Sequence, residues 1–171
     1  LPLVVIELKK PGVPARAAFD ENLTHYKQQI PALFWYNALV IASNGTDSRV
    51  GSLTADWDRF FEWKRIERED EPRRVSLDVM LRGICEPARL LDIVENFTLY
   101  SEHKAGLIKV LGQNHQYLGV NNAIARVSAL VAIAAMASLR RARQVSPTAG
   151  SPGSAPVSSQ SASSSAPSST T

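Results

Sequence analysis

Glu7 and Lys9 are the residues whose types and spacing first suggest chemistry. They stand in Ile6-Glu7-Leu8-Lys9, at the end of an apolar run. Residues two apart on a strand project from one face, so a carboxylate and an ammonium would leave the strand end together. Such a carboxylate can hold a divalent metal while the ammonium polarises a phosphate or a water, the arrangement a metal-dependent nuclease needs. E-x-K is also short and common, and a strand ending in solvent-facing charges gives the same pattern. Asn22 and Tyr26, one helical turn apart, could reach toward that strand and contact a phosphate; the plainer reading is a polar helix position beside a half-buried Tyr. Arg49 reads either as a phosphate contact or as a charge on a hairpin edge. His25 has no partner at a convincing metal spacing and reads as a surface residue. Trp57, Phe60, Phe61 and Trp63 read as core packing rather than base stacking. Cys85 reads as a small buried hydrophobe.

The elements that must position these residues follow from the pattern of apolar side chains. Leu3 to Leu8 is β-branched and apolar, then breaks at Pro11-Gly12, which predicts a buried strand and a turn. From Ala15 to Ile30, Phe19, Leu23, Tyr26 and Ile30 recur at helical spacing and predict an amphipathic helix stopped by Pro31. Asp20 and Glu21 near its start suit the helix dipole. Leu39 to Ala42 predicts a second strand, Asn44-Gly45 a turn, and Arg49 to Leu53 the returning strand. Asp56 is a candidate N-cap for the aromatic segment 57–63. Glu67 to Arg74 is densely charged and reads as a solvated linker. Ser76 to Cys85 and Pro87 to Tyr100 predict two helices, the second opened by Pro87. Gln113 to Arg126 predicts a helix in its later part.

Composition narrows the function classes. The 171 residues make about one domain, with 19 Lys+Arg, 16 Asp+Glu and a net charge of +3. Arg140, Arg141 and Arg143 are the only charged residues after residue 127, so residues 1–127 are neutral in total. The basic excess therefore says nothing about nucleic-acid binding by the folded part. One cysteine excludes an internal disulfide framework and a CxxC metal site, and fits a reducing, cytoplasmic compartment. The apolar run Ala129 to Leu139 is too short to span a bilayer, so no membrane partner is expected. The start lacks the basic n-region of a signal peptide, and a chain that opens in mid-strand suggests a fragment. Residues 144–171 hold 11 Ser and no charge, a composition expected to stay disordered. No G-x-x-x-x-G-K-[ST] loop is present.

An ordered series of motifs carries a resemblance. Pro2-Leu3-Val4-Val5-Ile6-Glu7-Leu8-Lys9 is followed by Tyr26-Lys27-Gln28-Gln29-Ile30-Pro31-Ala32-Leu33-Phe34-Trp35-Tyr36-Asn37 and Ala42-Ser43-Asn44-Gly45. Arg49-Val50-Gly51-Ser52-Leu53-Thr54-Ala55, Arg59-Phe60-Phe61-Glu62-Trp63-Lys64, Pro87-Ala88-Arg89-Leu90-Leu91-Asp92, Asn96-Phe97 and His115-Gln116-Tyr117 continue it to about residue 126. The series resembles the restriction (R) subunit of type I restriction–modification enzymes. That resemblance implies an α/β fold: a PD-(D/E)xK restriction-endonuclease-like mixed sheet flanked by helices, with a helical C-terminal extension, to which composition adds a disordered tail. It implies a partial nuclease domain over 1–74 and a helical extension over 75–127 leading toward an ATPase motor, while composition reads 128–171 as a low-complexity tail.

The resemblance also implies roles. Glu7 becomes a Mg²⁺ ligand and Lys9 the catalytic lysine. Asn22 and Tyr26 match a Q-x-x-x-Y motif, with the shorter Asn in the Gln position. Gln116 resembles a glutamine that reads the adenine of ATP. The family's metal-binding Asp would precede Leu1. Double-stranded DNA and the methylation and specificity subunits are the implied partners. A Trp and a Gly-x-Gly-Lys-Ser loop are implied soon after residue 126, where the Ser/Pro/Ala tail stands instead. A frameshift would produce that: Met136-Ala137 read one base later forces a Trp, and residues 143–147 permit Gly-Lys-Ser-Leu. The expected activity of the whole enzyme is ATP- and Mg²⁺-dependent cleavage of duplex DNA, and this chain alone is expected to be inactive. The alternatives are a stand-alone PD-(D/E)xK nuclease and a non-catalytic interaction fragment.

Overall fold

A computed structural model describes residues 1–68, 70–104 and 106–144. Contacts divide the chain into two units, Leu1–Leu130 and Val131–Thr171. The first holds every candidate residue. Strand β1 (Val4–Leu8) pairs in parallel with β2 (Leu39–Ser43), which pairs antiparallel with β3 (Ser48–Gly51). The strand order β1-β2-β3 leaves β2 central. All five β2 residues are buried, as befits a strand covered on both faces.

Each face of β2 feeds a different core. Leu39 and Ile41, with Val50 of β3, pack against Val79, Met80 and Ile84 of α3 (Ser76–Ile84) and against Ile93 of α4 (Pro87–Asn96). Val40 and Ala42 pack against Ala18, Leu23, Phe34 and Phe60. The second core is closed by a continuous helical stretch: α1 (Ala15–Ala17), a π-helical turn (Ala18–Leu23) and α2 (Thr24–Gln29). The stretch ends one residue short of the expected boundary, and Ile30 lies 52% exposed instead of on the buried face. The turn between β2 and β3 follows from Asn44-Gly45. Gly45 has φ +92°, a region costly for any residue with a Cβ, and Asn44 Oδ1 accepts the N–H groups of Thr46 and Asp47.

Three expectations are corrected. The extension after residue 75 is not wholly helical. Helix α4 stops at Asn96, and a hairpin follows: β4 (Thr98–His103) and β5 (Gly106–Leu111). Thr98, Tyr100 and Val110 are residue types that strands favour, and the register sets Thr98, Leu99 and Tyr100 opposite Leu111, Val110 and Lys109; Gly106 at φ +121° allows the reversal. The aromatic segment forms only a short 3₁₀ turn, Trp57–Arg59, and the Asp56 side chain caps nothing there.

Helix α5 (Asn114–Gln144) runs through the region expected to be a structureless tail from residue 128. Within it, Asn114–Arg141 is long and apolar enough to cross a membrane by length and composition. The run 129–139 is therefore not the right length to judge, because Val120, Ile124 and Val127 extend the apolar face N-terminally. The first turns of the same helix are tied to the first core through Tyr117 and Leu118. The expected disorder of residues 145–171 lies outside the described residues.

Candidate active site

Strand β1 is an edge strand, and its alternation decides what Glu7 and Lys9 face. Ile6 and Leu8 are exposed, while Glu7 and Lys9 are half-buried. Val5 packs into the core beneath the π-helical turn, so Glu7, two residues on, projects from that same face. Register extends the row: Glu7 lies opposite Ala42, and Ala42 lies opposite Arg49. Glu7 and Arg49 therefore flank a methyl group across three strands, about 10 Å apart at the backbone by the usual strand spacing. Among the described residues, no hydrogen bond or ion pair engages the Glu7 carboxylate.

Lys9 turns toward the helical cover. Its Nζ donates to Asn22 Oδ1 at 2.6 Å and to Glu21 Oε2 at 2.7 Å. Asn22 Nδ2 in turn donates to the Tyr26 hydroxyl at 3.3 Å. Asn22 lies inside the π-helical turn, where the extra residue per turn shifts side chains off ordinary helical rows; such turns are frequent at functional sites. The Lys9 side chain is 18% exposed and Glu21 67% exposed, so the Asn22 contact is the better shielded of the two. The structure thus brings Glu7, Lys9, Asn22 and Tyr26 to one face, with Arg49 in the Glu7 row.

A family model described as "Type I restriction enzyme R protein N terminus" matches residues 1–59. Residues 1–59 belong to the type I restriction enzyme R protein N-terminal family. The chain is 39% identical over 132 residues to the type I restriction enzyme HindI endonuclease subunit of Haemophilus influenzae, which covers 72% of this chain and 12% of that protein. It is 44% identical over 113 residues to the EcoprrI endonuclease subunit of Escherichia coli, covering 63% of this chain and 36% of that one. It is 47% identical over 103 residues to the SsaAORF53P endonuclease subunit of Staphylococcus saprophyticus, covering 60% of this chain and 11% of that one. The chain therefore spans about an eighth of the HindI subunit's length.

The remaining candidate of this R protein region lies elsewhere. Gln116 Oε1 accepts the backbone N–H of Gln113 at 2.8 Å, closing the first turn of α5 as a helix cap does. It sits on a different element from Glu7 and Lys9. Arg49 is shared between two carboxylates, with Nε 3.4 Å from Asp47 Oδ1 and Nη2 3.8 Å from Glu62 Oε1. It also lies 5.6 Å from the Trp57 ring centroid. His25 is exposed. Cys85 is half-buried beside the first core, and burial pushes its thiol up.

Sequence reasoning passed over Lys27. Its ammonium donates to the Leu53 carbonyl at 2.7 Å and stands 5.3 Å from the Phe19 ring centroid. Burial lowers its pKa, and Asp56 partly offsets that. The contact ties α2 to the loop after β3, and nothing local in the sequence signals it.

The donor set bears on the Mg²⁺ expectation. Among the described residues, no three His, Cys, Asp or Glu side chains gather as a metal cage. Mg²⁺ does not need one: it keeps several waters and takes one or two carboxylates plus substrate phosphates. The uncommitted Glu7 carboxylate fits that role as a single protein ligand.

Proposed function

We propose that this R protein region is the E-x-K part of a PD-(D/E)xK nuclease that hydrolyses phosphodiesters of double-stranded DNA. The observation that carries the reading is the convergence of Glu7 and the Lys9–Asn22–Tyr26 chain on one face of the sheet. Glu7 would hold Mg²⁺, which supplies Lewis-acid stabilisation of charge on a phosphate. Lys9 provides a positive charge at that phosphate, and Asn22 fixes where its ammonium points. Tyr26 orients Asn22 in turn. Preorganised charge of this kind is the main lever for phosphate chemistry.

We place cleavage in the whole enzyme, with ATP, the methylation and specificity subunits, and a cytoplasmic setting; the similarity to endonuclease subunits supports that reading. The chain alone, with one carboxylate ligand, is expected to hold metal weakly and to leave DNA intact. Two measurements test this. Mn²⁺ titration followed by electron paramagnetic resonance should show weak binding that Glu7→Gln removes and Lys9→Ala does not; equal binding by Glu7→Gln overturns the metal assignment. Supercoiled plasmid incubated with the chain and Mg²⁺ should stay supercoiled. Robust nicking abolished by Glu7→Ala would overturn the inactivity of the chain.

A further inference from the structure

Beside the Glu7 face, a cleft of about 680 Å³ opens between β3, the 62–65 segment and the start of α3. Five cationic side chains line it: Arg49, Lys64, Arg65, Arg73 and Arg74. Two carboxylates oppose them, Asp47 and Glu62, and both serve Arg49 at 3.4 and 3.8 Å, long for a charge-assisted bond. Among the described residues, the Lys64 and Arg73 side chains have no hydrogen bond or ion pair. Lys64 and Arg73 therefore bring to the cleft positive charge that no carboxylate among the described residues pairs.

Its walls are fixed. Asn114 Oδ1 accepts the backbone N–H groups of Lys64 and Arg65 at 3.1 and 3.0 Å, and Asn114 Nδ2 donates to the Arg65 carbonyl at 2.9 Å. The Ser76 hydroxyl accepts the N–H of Ser48 at 3.0 Å, joining α3 to β3. Lys64 and Arg65 thus extend from an anchored backbone, which lowers the ordering cost of binding.

The aromatic lining decides what kind of ligand fits. Trp63 is 3% exposed, with its ring against Tyr117 at 5.4 Å and against the Cα of Gly83. It offers no face on which a base could stack, as single-strand binding requires. Cations without a stacking platform recognise phosphates. We infer that this cleft binds the sugar–phosphate backbone of duplex DNA without reading sequence, flanking the Glu7–Arg49 row. The inference rests on the nuclease reading for its choice of duplex DNA.

The test is fluorescence anisotropy of a short labelled duplex in EDTA, with the full chain carrying Arg140→Gln, Arg141→Gln and Arg143→Gln to silence the α5 cations. Adding Lys64→Gln and Arg73→Gln should weaken binding about tenfold at low salt. It should also flatten the slope of log K against log salt by about 0.9 for each phosphate no longer neutralised. Among the described residues neither side chain has a partner, and an unchanged circular dichroism spectrum will confirm the fold. Unchanged affinity and slope would overturn the inference, as would stronger competition by single-stranded DNA or polyglutamate than by unlabelled duplex. Because EDTA removes divalent metal ions, loss of the metal assignment at Glu7 leaves this result standing, and failure here leaves that assignment standing.

Discussion

Lys9 and Asn22 meet at 2.6 Å, Nζ to Oδ1, joining the end of an edge strand to the middle of a π-helical turn. The contact sets the direction of the Lys9 ammonium, on the face that Glu7 shares. A residue at position 22 must therefore be judged by what it does to Lys9. Asparagine, though shorter than glutamine, makes this contact from within the π-helical turn.

Asn22→Ala should cost about 1–2 kcal/mol of unfolding free energy, since it removes a shielded acceptor from a charged donor. Glu21→Gln should cost less than about 1 kcal/mol, because that ion pair is largely exposed. Urea unfolding of both variants gives the ranking. A larger loss for Glu21→Gln would show that Lys9 is held by the outer partner instead.

Gly83→Ala is expected to destabilise, although alanine is the better helix former by about 1 kcal/mol. An added Cβ in α3 would stand 2.5 Å from Trp63 Cδ1 and Nε1. Overpacking against a buried indole costs about 1–3 kcal/mol, and Trp63 has no room to retreat with Tyr117 behind it. A rise in melting temperature would mean that the indole shifts freely.

Much of this site was legible in the residues, and the reasons are local. Val4–Leu8 and Leu39–Ser43 announce themselves by unbroken apolar character, Asn44-Gly45 by turn chemistry, and Pro87 by its place in a first helical turn. Glu7 and Lys9 share a face because strand geometry leaves them no alternative. The hairpin Thr98–His103/Gly106–Leu111 was not legible. Leu99, Tyr100, Leu107 and Val110 are exposed, so burial imposes no clean alternation, and Leu99–Tyr100 read as a continuation of α4. The fastenings of Lys64 and Arg65 to Asn114 were hidden too. They join positions 50 and 49 apart in sequence, a distance at which no spacing rule operates.

Asp92 should make stability fall in acid. Burial alone would raise its carboxyl, but hydrogen bonds from Asn96, Asn121 and Tyr117 outweigh that and leave the pKa lowered. A carboxylate with a depressed folded pKa contributes stability above its unfolded value, near 3.9, and loses it as pH falls through the folded value. Tyr117 has the opposite sign: burial, then the bond to Asp92, raises its pKa. Its contribution is present below its unfolded pKa, about 10, and is lost as pH rises through the raised value. Asp92→Asn should flatten the acid limb of a stability–pH curve measured by urea unfolding. An unchanged acid limb would exclude Asp92 as a source.

The hairpin is docked by hydroxyls. Ser52 Oγ donates to the Lys109 carbonyl at 2.5 Å, and Thr54 Oγ1 accepts the Lys109 N–H at 2.8 Å. Lys109 also extends its ammonium to the Asn37 carbonyl at 3.0 Å, and burial lowers its pKa. Thr54→Val keeps the shape and removes the acceptor. Hydrogen exchange at the Lys109 amide should then quicken at least tenfold while exchange in β2 stays unchanged, because local opening need not involve the core. Equal quickening in both would mean that the hairpin and the sheet open as one unit.

Asn114→Ala tests whether anchoring matters to binding as well as to stability. Asn114 is buried and satisfies two N–H groups and one carbonyl of the 64–65 segment. Losing three bonds at a buried position should cost about 2–4 kcal/mol, since the freed backbone groups are left poorly paired. The substitution removes no charge, so the slope of log K against log salt for duplex binding should hold while affinity falls several-fold, the signature of a cation cluster that is intact but less ordered. Asn114→Asp keeps the acceptor and should restore the N–H bonds of Lys64 and Arg65. It should recover stability in part and affinity less, because the new carboxylate opposes phosphate. Anisotropy and urea unfolding on the same preparations separate the two effects. Wild-type affinity in Asn114→Ala would show that the cations bind equally well from an unanchored chain.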